Sequence, residues 1–319
     1  MASASVRLQL AYNFQDNTVH SMDAFLRNDN EKEVLIIMRE LASALQIAIE
    51  IESEAIQEGS LVNFWKFIGD NEKQIKMCAG ALIFIFSLPY GYQQFRNVQL
   101  DNQIKELEII KRTEEAEKLK REALNADSVM MSQLVERAVQ LVQDDIKIHV
   151  HKSHFYKRLI TERKVTHITA TEIDERSLPV GSEKRIDKID FPKFILKSNN
   201  LEPLVDDEAL IEIIAPILKA GDFSWKGIYQ NEQINFKILD QKFKGSVLAG
   251  EYTFANGDSI RCVLQQKRQV DDLGVIRVIE RNVLLVIEKV NSTEPAIITP
   301  QGQRHRAKKK QTGNQLSFF

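Results

Sequence analysis

The stretch "HVHKSH" crowds three histidines together, His149, His151 and His154. In a strand, side chains two apart share a face. His149 and His151 would then share a face and could hold a metal together, with His154 arriving from the next turn. No carboxylate motif accompanies them, and the surroundings are rich in lysine. The expectation is therefore solvated histidines, with no metal and no cofactor. Acids are plentiful at Asp144-Asp145, Asp187, Asp190, Asp206-Asp207 and Asp271-Asp272. Paired carboxylates can perform acid–base work, but these stand in polar, turn-like contexts, and "DDLG" reads as a hairpin tip. The chain has no Gly-x-Ser-x-Gly elbow, phosphate loop, His-Glu-x-x-His helix or deaminase zinc signature. A binding or regulatory role is expected rather than an enzyme.

Aromatic residues beside cations suggest a different chemistry. "FSWKGIY" sets Trp225 and Tyr229 beside Lys226, and "QQKRQ" adds Lys267 and Arg268. Such interleaving can form a stacking groove for single-stranded nucleic acid. The alternative is that Trp225 plugs a barrel core and the cations face water. A second basic cluster comprises Arg304, Arg306, Lys308, Lys309 and Lys310. The net charge is −2, so these five cations leave the rest of the chain at −7. Phosphate attraction scales with the cations presented. Only this tail suits nucleic-acid contact.

The elements that position these residues are those of an α+β protein. At 319 residues, 43% apolar and 28% charged, the chain has the length of two or three domains and the composition of a folded protein. Its two cysteines, Cys78 and Cys262, sit in apolar runs and make no disulfide framework or cysteine zinc site. Together with a start, "MASASVRLQL", that lacks signal-peptide features, they imply a cytoplasmic setting. Residues 1–68 read as a small α/β unit. Val6, Leu8, Leu10 and Tyr12 alternate as in a strand. Asn30 and Glu33 have the spacing of a capping box before an apolar helical face at Val34, Ile37, Met38, Leu41 and Leu45. Two further strands follow. No glycine-rich phosphate loop stands at the first strand-to-helix junction.

Residues 69–94 contain "MCAGALIFIFSLPYGY" (77–92), sixteen residues without a charge. As a helix this spans about 24 Å, against roughly 30 Å for a bilayer core. It is either a buried helix ended by Pro89, or a membrane span or membrane-dipping segment associated with the inner membrane. Residues 95–145 read as one long helix. Its apolar stripe, Leu100, Ile104, Leu107 and Ile110, fades into i,i+4 ion pairs at Glu108–Arg112, Glu114–Lys118 and Glu117–Arg121. That pattern gives a solvated helical spacer or a coiled coil between protomers.

Residues 146–207 form a mixed connection, with a helix in "SHFYKRLITER", a strand in "KVTHITATEID" and an exposed link at "GSEKRIDKIDFPKF". Residues 208–292 alternate repeatedly, as at Ile234, Phe236 and Ile238, and at Ile260, Cys262 and Leu264. Asp240 is placed to cap a short helix, and Asn256-Gly257 signals a hairpin turn. A small β-rich barrel is expected. Residues 293–319 form a flexible basic tail ending "QLSFF". This ending resembles the bacterial sliding-clamp-binding motif, commonly Gln-Leu-x-Leu-Phe, with Gln315, Leu316, Phe318 and Phe319 on its pattern and a phenylalanine at 318 where leucine is usual. The resemblance implies a sliding clamp as partner, with the basic run facing DNA threaded through it. The layout of the body resembles bacterial proteins to which no function attaches.

Overall fold

A computed structural model of the chain describes residues 4–16, 21–54, 61–89, 102–292 and 295–316. The chain divides into two compact units, residues 1–199 with 270–275 and residues 200–269 with 276–319.

The first unit is built on a five-stranded sheet in the order β2-β3-β1-β4-β5, antiparallel at every pairing. Its strands are β1 (Ala4–Phe14), β2 (Glu50–Glu54), β3 (Leu61–Gly69), β4 (Val165–Ile173) and β5 (Pro179–Asp187). The expected alternation in β1 holds: Val6, Leu8, Leu10 and Tyr12 all enter the main core. Helix α1 (Ala24–Ala44) starts earlier than the capping-box spacing suggested. Asp23 takes the cap, its carboxylate accepting from the Leu26 N–H at 2.8 Å. Asn30 and Glu33 consequently lie inside the helix and are buried.

Helix α2 (Glu72–Ser87) holds the uncharged segment, and it is buried around most of its circumference, from Ile75 through Phe86. A helix apolar on all sides must be buried, and here the sheet and helices of the first unit cover it. Among the described residues no helix is long and apolar enough to cross a membrane; residues 90–92 of the segment lie outside them. The single long helix expected over 95–145 is instead two, α3 (Asn102–Ala123) and α4 (Ser128–Leu141), with 95–101 outside the described residues. Asp127 ends the link between them by capping α4 through the Met130 N–H. Leu119, Ala123, Ala126, Leu134, Val135 and Ala138 are buried in the core. The guanidinium of Arg137 on α4 reaches back to Glu115 and Glu122 on α3. The end of α3 and helix α4 thus join the core, while Leu107, Ile109 and Ile110 earlier on α3 are exposed.

Helix α5 (Ile146–Thr161), capped by Asp145, precedes β4. The stretch expected to be an exposed link forms β5 and a 3-10 turn (Lys188–Phe194). Phe191 and Phe194 of that turn are buried against the Tyr156 ring, at centroid distances of 5.2 and 4.4 Å. Aromatic burial overrode the polar composition around it.

The second unit contains a five-stranded barrel. Its strands are β6 (Asn200–Ala215), β7 (Trp225–Tyr229), β8 (Glu232–Ile238), β9 (Ser259–Val270) and β10 (Ile276–Val290). They run in the order β10-β8-β7-β6-β9, and a β9–β10 pairing closes the ring. The β10–β8 contact is parallel, and a short β11 (Ile297–Ile298) adds outside β10. Closure leaves no open edge among the five. Asp240 caps α6 (Gln241–Leu248) as expected, and the same carboxylate accepts from the Val286 N–H and from Gln301 Nε2. Asn256-Gly257 is a turn, with Gly257 at φ +85°, but it leads from α6 into β9 and not between two strands. The hairpin tip at "DDLG" is present, Asp271 accepting from the Leu273 and Val275 N–H groups.

Helix α7 (Pro300–Leu316) covers the basic run that composition placed in a flexible tail. Thr299 fixes its start: Oγ1 donates to the Val286 carbonyl at 2.6 Å and accepts from the Gly302 N–H at 2.9 Å. Arg306 bonds Glu288 on β10 at 2.7 Å.

At the rim of the barrel, Asp258 accepts from Lys289 Nζ at 2.8 Å and from the Ala255 and Ser292 N–H groups. Burial alone would raise its pKa, but the Lys289 and backbone hydrogen bonds outweigh it and hold the carboxyl below its ordinary value. A depressed folded-state pKa gives stability that is present above the unfolded value, near 4, and is lost as pH falls through the folded one. Asp258→Asn is expected to lower stability at pH 7 by about 3 kcal/mol, because it leaves the buried Lys289 ammonium without its counter-charge. The gap from wild type should close below about pH 4. Thermal melts of both proteins across pH check this, and a gap of equal size at pH 3 and pH 7 would refute it.

Candidate functional site

Helix α5 carries two separate polar groups, and its period explains why. Residues 151, 154 and 158 follow i, i+3, i+7 spacing and share one face; residues 149, 152 and 156 share another. The strand reading, which brought His149 beside His151, is corrected here: on a helix the two lie on different sides.

On the first face His151, His154 and Arg158 converge on Glu33 of α1. Nδ1 of His151 is in hydrogen-bond contact with Glu33 Oε2. Nδ1 of His154 stands 3.7 Å from Oε1, and Arg158 Nη1 donates to that same oxygen at 2.7 Å. Glu33 and His151 are both buried. Burial pushes the Glu33 carboxyl upward, but hydrogen bonds from His151, His154 and Arg158 overcome it and hold the group well below the usual carboxylate range. Arg158 also lies 3.7 Å from Asp29, and His154 Nε2 lies 3.8 Å from Asp272 of the same unit.

On the second face Lys152 is buried, its Nζ donating to the Leu88 carbonyl at 2.5 Å and lying 5.3 Å from the centre of the Phe194 ring. Burial lowers its pKa to about 7. It lines a cavity of about 410 Å³ with His149 and the apolar side chains of Phe84, Ile85, Val139 and Ile148. His149 bonds the Gln143 carbonyl at 2.5 Å, and burial lowers its pKa too. The cavity thus combines apolar walls with a few polar groups, among them Glu136, Gln140 and the buried Lys152 amine.

The residues chosen for nucleic-acid contact fare differently. Trp225 is 1% exposed and packs edge-on to Phe254 at 5.3 Å inside the barrel core. Tyr229 is buried as well, its hydroxyl donating to Asp206 at 2.7 Å. Neither ring offers a face on which a base could stack, so the groove reading is corrected. Lys267 pairs with Glu280 at 2.7 Å, and Arg268 donates to the Glu202 carbonyl at 2.8 Å. In the tail, Arg306 is held by Glu288 and Lys309 by Glu208 at 3.1 Å, while Arg304 and Lys308 are exposed. The Lys310 side chain and the side chains of Gln315 and Leu316 lie outside the description, as do Phe318 and Phe319 entirely; the backbone at Gln315 and Leu316 ends α7.

Glu33, Lys152 and Arg158 were missed as site residues. Glu33 was hidden by the spacing that also fits a capping box. A signal for Arg158 was present: His-x-x-His-x-x-x-Arg aligns 151, 154 and 158 on one face once the stretch is read as a helix, whereas nothing in the sequence marked Lys152. Comparisons of the chain with protein-family models, with curated proteins and with solved structures return no match.

Proposed function

We propose that this chain is a non-enzymatic binding protein recruited to sites of DNA replication or repair by docking Gln315, Leu316, Phe318 and Phe319 on a bacterial sliding clamp. The observation that carries the reading is the pattern itself, a glutamine followed by three large apolar groups. The Gln315 amide would set the register of an extended peptide, and Leu316, Phe318 and Phe319 would fill an apolar pocket. Two structural features are compatible with it. Thr299, Gly302 and Arg306 anchor the start of α7 to the barrel, so the motif follows an element with a fixed root. The intervening Thr312-Gly313-Asn314 are poor helix formers, each less favourable than alanine by about 0.5–1 kcal/mol, so unwinding the last turn into an extended peptide takes little free energy.

DNA contact is the weaker part of the proposal, since a phosphate would have to displace Glu288 from Arg306 and Glu208 from Lys309. An insertion of the 77–92 segment into a membrane gains no support from α2, whose apolar side chains are already occupied by the core. The test is the double variant Gln315→Ala/Phe319→Ala against a purified clamp. Docking requires binding to weaken by about thirtyfold or more, as for loss of a binding hot spot of 2 kcal/mol, with an unchanged melting temperature. Retained binding with a fall in melting temperature would mean that the rings cap a groove on their own chain, and would end the proposal.

A further inference from the structure

We infer that Glu33, His151 and His154 form a binding site for one divalent transition-metal ion, best suited to Zn²⁺. Among the described residues these three side chains are the one group of its kind, offering ligand atoms that all lie within 4.8 Å of one another. The chemistry of the set is two imidazoles and one carboxylate, the donors zinc accepts in tetrahedral sites that keep one position open. The geometry supports it in three ways. Nδ1 of each histidine is the nitrogen nearest Glu33, so both rings present the same atom to the carboxylate. Arg158 donates to Glu33 Oε1, which orients the carboxylate and leaves Oε2 toward His151. The far nitrogen of His154 lies 3.8 Å from Asp272 Oδ1, too long for a hydrogen bond, so Asp272 adds negative charge beside the ring.

Charge agrees with the assignment. Glu33, Asp29 and Asp272 set against Arg158 leave two negative charges around the site, which a divalent cation neutralises. The ion would replace the direct His151–Glu33 contact and tie α5 to α1. With three protein ligands the fourth position is left for water or a small anion.

The test uses the full chain stripped of metal by chelation and dialysed. Titration with zinc chloride by calorimetry should give one equivalent, and Co²⁺ should give the visible absorption of a tetrahedral ion. His154→Ala is the informative variant because His154 is partly exposed and its loss leaves the core intact. It should weaken Zn²⁺ binding far more than tenfold while the metal-free melting temperature stays within a degree or two of wild type. Asp272→Asn, which removes only an exposed charge beside the ring, should weaken it by less than about tenfold. Glu33→Gln keeps the side-chain volume and should abolish the Co²⁺ spectrum. Absence of heat and colour in the wild-type titration would overturn the inference. So would binding that His154→Ala and Glu33→Gln both leave unchanged, because the ion would then sit elsewhere and the cluster would be a polar tie between two helices.

Discussion

Replacing Gly302 by alanine is expected to unseat α7 from the barrel. A Cβ at that position would stand 1.9 Å from the Ile287 carbonyl oxygen and 2.6 Å from its carbon, far inside contact distance and against backbone that cannot rotate away. The helix must lift or β10 must bend. Either movement breaks the Thr299 hydrogen bonds to the Val286 and Ile287 carbonyls and the Arg306–Glu288 pair. Overpacking of a buried contact typically destabilises by 1–3 kcal/mol, and a clash with fixed backbone belongs at the upper end, about 3 kcal/mol. Urea denaturation measures the loss. A change below about 0.5 kcal/mol would mean that α7 does not rest on β10 through this glycine.

The second large effect is expected at Trp225. Its indole fills the barrel among Phe236, Phe254 and the aliphatic side chains of the ring, at centroid distances of 6.4 and 5.3 Å from the two phenylalanines. Truncation to alanine should destabilise by about 3–5 kcal/mol, and Trp225→Phe by much less. Affinity for single-stranded DNA should not respond to Trp225→Phe. If alanine instead costs little stability and abolishes such binding, the ring is a stacking platform and its place in the core is wrong.

The first strand and the barrel strands were legible because their period of two needs no knowledge of partners. Val6 to Tyr12 and Ile234 to Ile238 each declare a half-buried face. Asp240 was legible as a cap for the same reason, since capping is a local contact. Other features depended on distant chain. The "DDLG" tip marks the β9–β10 hairpin locally, but the parallel β8–β10 contact joins strands whose sequences carry no mark of each other. Asn30 and Glu33 carried the pattern of a capping box, but Asp23 offered an earlier cap and the helix extended over both. The apolar stretch in α2 could not declare its surroundings, because a helix buried by protein and one buried by lipid look alike in sequence. The histidines were assigned the wrong period: nothing in "HVHKSH" distinguishes strand from helix until Asp145 is seen to cap α5. That error concealed the convergence on Glu33, which comes from a helix more than a hundred residues earlier.

Docking through the closing phenylalanines is tested most directly by hydrogen exchange on the full chain, with and without a purified bacterial sliding clamp. The expected result is fast exchange of the amides from Thr312 to Phe319 in the chain alone and marked protection when the clamp is added. Protection already present in the chain alone, and unchanged by the clamp, would contradict it.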